Sequence, residues 1–222
     1  MTDLPVGAVH VWQARLPKEW TPPVGVLSQM EHDKVARIKR SDVGVLKAFS
    51  YWVRREILSR YLPLNPQEIV FGEGEYGKPF IVNEGVSLSF NVSDTEGLVV
   101  LAIAHEPVGV DVEPKSRAME PGLAKHILSD KEMIHWQGLS PAESSAYLLK
   151  VWVAKEAYVK CIGKGLQWEM AGFSVINESC RLTSPEPALS LQWVKGSHDS
   201  EMAVCCCAKG LSNQIDSFIW GH

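Results

Sequence analysis

No run in the 222-residue chain approaches the roughly 18 consecutive apolar residues of a membrane helix. Its polar N-terminus also lacks a signal-peptide core. Both absences predict a cytoplasmic protein without membrane contact. The chain has no excess of positive charge. At a formal −4 it exerts no whole-molecule attraction on nucleic acid or anionic lipid, so any anion site must be a local cluster. Cysteine is sparse and odd in number, five in all, with Cys205, Cys206 and Cys207 adjacent. Neighbours in a strand point to alternate faces, which disfavours a bridge or a metal cage and predicts reduced thiols. The seven histidines lack metal-ligand spacing, and none pairs with a serine or cysteine nucleophile. Gly163-Lys164-Gly165 lacks the glycine pattern of a nucleotide-phosphate loop and reads as a helix end. The basic and aromatic residues at 52–61 do not predict nucleic-acid binding, because their aromatics fall on a buried stripe.

What is present is an ordinary globular composition, 45% hydrophobic and 22% charged, long enough for one large domain or two small ones. Residues 7–16 alternate as an opening strand. Residues 29–39 form a short basic helix carrying Lys34 and Arg37, and Ser41 caps a second helix ending before Pro63. Brief strand character at 68–71 precedes the turn-rich 72–79. Residues 86–93 alternate apolar and polar, and 98–104 are continuously apolar, as suits a central strand. After the strand at 108–113, Ser129 and Glu132 open a helix that ends at Gly138. Residues 173–176, 189–194, 202–208 and 217–220 read as strands of an antiparallel sheet. The class is therefore α+β, with mainly antiparallel sheets packed by helices, and a hinge falls within 107–121.

A long helix dominates the second half. Ser140, Pro141 and Glu143 sign its start, and Gly163 and Gly165 its end. Trp152, Glu156 and Lys160 fall on one line at four-residue spacing. Taken alone, Glu156 and Lys160 could be a surface ion pair of a few tenths of a kcal/mol. On the strand Gly109-Val110-Asp111-Val112-Glu113, the valines face one side and the carboxylates the other. Asp111 and Glu113 are then about 7 Å apart at their α-carbons. They could end a solvated strand or hold a hard divalent cation such as Mg²⁺, with Glu156 as a third oxygen ligand.

The two motifs together, Gly109-Val-Asp-Val-Glu113 and, some forty residues on, Trp152-Val-Ala-Lys-Glu-Ala157 continuing through Lys160 to Leu166, resemble the paired signature of Sfp-type 4′-phosphopantetheinyl transferases of the W/KEA subgroup. Glu75-Tyr-Gly-Lys-Pro79, Phe90-Asn-Val-Ser93 and Met202-Ala-Val-Cys205 are similar to further family segments, in the family's order. The resemblance implies two similar α/β lobes related by a pseudo-twofold, here residues 1–107 and 108–222, with coenzyme A and Mg²⁺ in the cleft between them. It implies transfer of the phosphopantetheine arm of coenzyme A to a serine of an acyl or peptidyl carrier protein, with release of adenosine 3′,5′-bisphosphate. Asp111, Glu113 and Glu156 would ligand Mg²⁺. Glu156 would accept the serine proton or orient a water that does, and Lys160 would neutralise the departing phosphate. Lys34, Arg37, Lys78, Pro79, Ser93 and Asp94 would contact coenzyme A.

Two positions depart from the family pattern. Asp94 stands where relatives usually carry a phosphate-donating histidine, and Val45 where many carry arginine. Lys155 faces about 100° away from Glu156 on the helix and is a secondary candidate. The alternative reading is a coenzyme A or carrier-protein binding module of the same fold without turnover. A monomer is expected, since two fused lobes already enclose a cleft.

Overall fold

The computed structural model describes residues 1–165, 168–177, 179–195, 201–209 and 215–221. The first half contains β1 (Val9–Arg15), α1 (Gln29–Ala36), α2 (Ser41–Leu58), the short hairpin β2 (Phe71–Glu73) and β3 (Pro79–Ile81), then β4 (Ser89–Thr95) and β5 (Leu98–Ala104). The second contains β6 (Val108–Pro114), α3 (Ala124–Ile127), α4 (Asp130–Gln137), α5 (Pro141–Ile162), β7 (Leu189–Trp193), β8 (Met202–Lys209) and β9 (Ile215–Trp220). This is the mixed α+β class, with two main sheets in the orders β4-β5-β1-β9 and β6-β8-β7.

The continuously apolar β5 is central because it is buried on both faces. Val99, Leu101 and Ile103 pack toward α2, with Phe49, Trp52, Val53 and Ile57. Leu98, Val100, Ala102 and Ala104 face the other way, onto Val108, Val110 and Val112 of β6 and Val204, Cys206 and Ala208 of β8. A third core gathers around α5, where Leu148, Val151, Ala154 and Ala157 meet Cys205 and Cys207. The cysteine run therefore does point to alternate faces, and all five thiols are free.

Four expectations need correction. Ser41 does not cap α2 but is its first residue; the N-cap is Arg40, which makes no side-chain cap hydrogen bond. Residues 217–220 do not join the sheet of the second half: β9 runs parallel to β1, Trp12 opposite Phe218. Its aromatics belong to the first core, with Phe218 stacked on Trp12 at 4.7 Å and Trp220 edge-on to Trp52 at 4.7 Å. The strand expected at 68–71 is a 3-10 turn (Pro66–Glu68) followed by the β2–β3 hairpin. Of the strand expected at 173–176, only one bridge remains, Ile176 with Leu182.

Helix α5 begins and ends where its end signals fall. Glu143 accepts from the Ser140 N–H at 3.1 Å, and Gly163 closes the helix in the left-handed region at φ 71°. Its burial extends well beyond one stripe, because α3, α4, β6, β7 and β8 all pack around it. No helix among the described residues is long and apolar enough to cross a membrane.

Candidate functional site

The site forms where β4, β6 and α5 converge. β6 and β4 belong to different sheets and are joined through side chains of β4. Asn91 accepts from the Val110 N–H at 2.9 Å, and Ser93, two residues on and so on the same face, donates to Asp111 Oδ1 at 2.8 Å. α5 lies directly on β6 because Gly109 has no side chain. A Cβ there would be 2.1 Å from the Ala157 carbonyl oxygen and 2.3 Å from the Cys161 nitrogen. That contact brings Asp111 under the Glu156–Lys160 face of the helix. Lys160 Nζ donates to Asp111 Oδ1 at 2.6 Å and to Ser93 Oγ at 3.1 Å.

The other two carboxylates close the group. Glu113 is ion-paired with Arg117 and accepts from the Trp152 indole. Burial nevertheless raises its pKa above the ordinary value, outweighing the Arg117 charge, and nearby Asp111 adds to the rise. Glu156 is only 5% exposed. Burial first, and then the charges of Asp111 and Glu113 working against Lys160, push its pKa up to about 7. Two buried oxygens of this group, Asp111 Oδ2 and Glu156 Oε1, have no hydrogen-bond partner among the described residues. Buried carboxylate oxygens left without donors are what a hard cation would satisfy. As the side chains stand, no three His, Cys, Asp or Glu residues among those described are gathered closely enough to hold a metal ion. Lys160 and Arg117 supply the compensating positive charge.

A cleft of about 560 Å³ opens beside this group, lined by Glu156, Lys160, Lys78, Pro79, Asn91 and Gly163 among others. Lys78 is carried there by the hairpin turn, but its ammonium turns inward, donating to the carbonyls of Val108 (2.9 Å) and Cys161 (3.1 Å). Burial lowers its pKa. Lys34 lies in an adjoining recess, paired with Glu73. Arg37 caps the end of α1 and is exposed. Asp94 turns toward α2, near Lys47 Nζ (3.5 Å) and Ser50 Oγ (3.2 Å), in a small recess that shares Gly77, Pro79 and Val92 with the cleft. The structure thus brings Ser93, Asp111, Glu113, Glu156 and Lys160 together and leaves Arg37 apart. Leu166, the last residue of the long-helix motif, lies outside the described residues.

Four contributors were not legible in the sequence: Asn91 as the link between sheets, Arg117 opposite Glu113, Trp152 as a donor, and Lys47 beside Asp94. Only Arg117 left a signal, a cation four residues after Glu113. Lys155, the secondary candidate, is structural. It is fully buried, 2.7 Å from Glu132, and donates to the carbonyls of Ile127, Met170 and Phe173.

Buried acids and a lysine beside an open cleft define a class of site suited to moving phosphorylated groups. A family model described as the 4′-phosphopantetheinyl transferase superfamily matches residues 107–207, the segment that carries Asp111, Glu113, Glu156 and Lys160. A putative 4′-phosphopantetheinyl transferase of Synechocystis sp. is 32% identical over 184 residues, 73% of this chain and 72% of the relative. A 4′-phosphopantetheinyl transferase of Bacillus subtilis is 36% identical over 115 residues, 50% of this chain and 49% of the relative. Sfp of Bacillus subtilis strain 168 is 32% identical over 121 residues, 54% and 53% respectively. With several such relatives the match spans only about half of their length. The chain belongs to the 4′-phosphopantetheinyl transferase superfamily.

Proposed function

We propose that this chain transfers the 4′-phosphopantetheine arm of coenzyme A to a serine of an acyl or peptidyl carrier protein in a Mg²⁺-dependent reaction, releasing adenosine 3′,5′-bisphosphate. The observation that carries this reading is the pair of buried, donorless carboxylate oxygens, Asp111 Oδ2 and Glu156 Oε1, at the edge of a cleft. Asp111, Glu113 and Glu156 would hold the cation. Bound there, Mg²⁺ would supply charge neutralisation for the pyrophosphate under attack. Asp111 Oδ2 has no donor, so a cation could be held there while Lys160 stays on Oδ1, its ammonium at the edge of the cleft where phosphate oxygens would meet it. Glu156 would take the serine proton directly or through a water. Ser93, Lys78 and Pro79 line or border the space for coenzyme A, with Lys34 and Asp94 in adjoining recesses.

The two halves, 1–107 and 108–222, act as lobes related by a pseudo-twofold, except that β9 of the second half completes the sheet of the first. In support, each lays its longest helix on a small sheet, α2 on β4 and β5, α5 on β6 and β8. A groove of about 490 Å³ that shares Trp152 and Arg117 with the surroundings of Glu113 also carries Lys125, Leu123 and Trp168, with one acid, Glu169. This mixture of cations and apolar side chains fits an acidic carrier protein. Five free thiols accord with a reducing, cytoplasmic setting, and one chain contains the whole site, so a monomer suffices.

The test mixes an apo carrier with coenzyme A and Mg²⁺ and weighs the carrier. Gain of one phosphopantetheine arm on a serine supports the transferase. Coenzyme A binding without gain, across several carriers, would make the chain a binding module.

A further inference from the structure

The second half contains another cavity, about 450 Å³, between α4, α5 and residues of the segments 174–177 and 179–183. It shares no lining residue with the cleft. Glu132 lies on its wall but is already saturated. Its Oε1 accepts from the N–H groups of Val175 and Ile176, and its Oε2 from Ser129 and Lys155. Tyr147 differs. It is only 9% exposed and lines the cavity, yet among the described residues its hydroxyl has no hydrogen-bond partner. A largely buried phenol left in this state has donor capacity for something entering the cavity. Lys131 adds an exposed ammonium to the same wall.

At the rim sits Cys180, an exposed free cysteine beside the lining residue Ser179. Its Sγ is 3.3 Å from His135 Nε2, and the His135 ring leans on Tyr147 with centroids 4.9 Å apart. An imidazole at that distance can take the thiol proton, and the thiolate is the reactive form.

We propose that Cys180 is a modification site that accepts the thiol half of a low-molecular-weight peptide disulfide bearing free carboxylates, with the cavity holding the appended half. The sulfur of Cys180 attacks one sulfur of the disulfide while His135 takes its proton. A new S–S bond forms, the old one breaks, and the departing thiolate recovers the proton from His135; the peptide disulfide is itself the two-electron oxidant, one half leaving as a thiol while Cys180 is oxidised. Tyr147 donates to a carbonyl of the bound half, and Lys131 pairs with its carboxylate. The volume lies in the range of small-molecule sites. This inference does not depend on the transferase reading, since none of its residues belongs to the cleft.

The experiment uses the whole protein and two probes, oxidised glutathione and the uncharged 2-hydroxyethyl disulfide, with adducts located by peptide mass mapping. In the native protein Cys180 should react about tenfold faster with oxidised glutathione than the same residue does in the urea-unfolded chain. The buried Cys161, Cys205, Cys206 and Cys207 should stay unmodified until urea is added. Relative to 2-hydroxyethyl disulfide, native Cys180 should favour oxidised glutathione, and Tyr147→Phe and Lys131→Gln should each erase that preference. His135→Gln should slow both probes. Tyr147→Phe removes only a hydroxyl without a partner, so its fold is expected to persist, which a thermal melt would verify. Absence of a Cys180 adduct, a native rate no greater than the unfolded one, or a preference that survives both wall variants would overturn the proposal.

Discussion

The main-chain oxygen of Ala157 lies 2.1 Å from where a side chain on Gly109 would begin. Helix α5 therefore rests on bare backbone of β6, and that separation sets how Asp111 meets Lys160. The obstacle is backbone rather than a flexible side-chain end, so it cannot swing away. Gly109→Ala should push the two elements apart and cost on the order of 2–4 kcal/mol, at or above the usual range for overpacking. Urea unfolding would show the loss. A variant that kept wild-type stability would mean that α5 can slide without cost.

Glu156→Gln separates the fold from the reaction. The substitution preserves shape and removes a buried charge whose Oε1 has no donor. Without divalent cation, stability at neutral pH should be equal or higher, because the desolvation cost of the carboxylate disappears. Transfer to a carrier should fall at least a hundredfold, in line with loss of a group acting in the transition state. Paired thermal melts and single-turnover assays would check both halves. Unchanged transfer would remove Glu156 from the chemistry.

What the sequence could disclose depended on how local the physics was. The ends of α5 are written within a few residues, in Ser140, Glu143 and Gly163, and the structure has them there. Alternation likewise assigned the faces of β6, since Val108, Val110 and Val112 go to the inter-sheet core. The placement of β9 was not local. Its neighbour β1 lies some two hundred residues away, and a short alternating strand fits either sheet equally well. Lys78 shows the same limit inside the site: Gly77 and Pro79 locate its turn, but only the packed fold shows its ammonium taken up by the carbonyls of Val108 and Cys161. Lys155 and Lys160 are both lysines of one helix, and their opposite fates follow from which neighbours face them.

The aspartate at position 94 reads differently once Lys47 is seen beside it. Asp94 Oδ1 is 3.5 Å from the Lys47 ammonium and 3.2 Å from Ser50 Oγ, so its charge is partly compensated. Asp94→His should preserve or improve coenzyme A affinity, since it removes a negative charge and frees Lys47. Lys47→Ala should weaken that affinity by about threefold to tenfold, the range of a partly exposed charge contact. Titration calorimetry with coenzyme A and Mg²⁺ would decide. A large loss in Asp94→His would give the carboxylate a role of its own.

In the recess that holds Lys34, Glu31 anchors α1 to α2 by ion-pairing with Arg54 and Arg55, all three being buried. Burial alone would raise the Glu31 pKa, but the Ser28 N–H and the two guanidinium groups outweigh it and hold the value below the ordinary 4.5. Burial pulls Arg54 below its usual range while Glu31 opposes it, and a guanidinium stays charged throughout. With the folded value depressed, the stability from this carboxylate is complete above pH 4.5 and is lost as pH falls through the folded value. Glu31→Gln should cost about 3 kcal/mol at pH 7, as breaking a buried pair does. The gap to wild type should narrow on acidification. Urea unfolding between pH 3 and 7, values chosen to bracket the carboxylate range, would reveal a gap independent of pH if the assignment were wrong.

Two of the three lysines of α5, Lys155 and Lys160, make the sharpest contrast. Lys155 is fully buried, and its ammonium satisfies Glu132 and three backbone carbonyls at once. Lys155→Met would strand Glu132 as an uncompensated buried charge and leave those carbonyls short of a donor, at a cost of about 3–5 kcal/mol. Lys160 has a side chain 27% exposed and reaches Asp111 from the cleft side. Lys160→Met should cost less, roughly 1–2 kcal/mol, because water can enter to solvate the freed carboxylate. Under the transferase reading it should still lower transfer strongly while leaving the melting transition cooperative. Measured side by side, loss of fold in the first variant and loss of turnover in the second would assign scaffold and chemistry to neighbouring turns of one helix. The reverse pattern would exchange those roles.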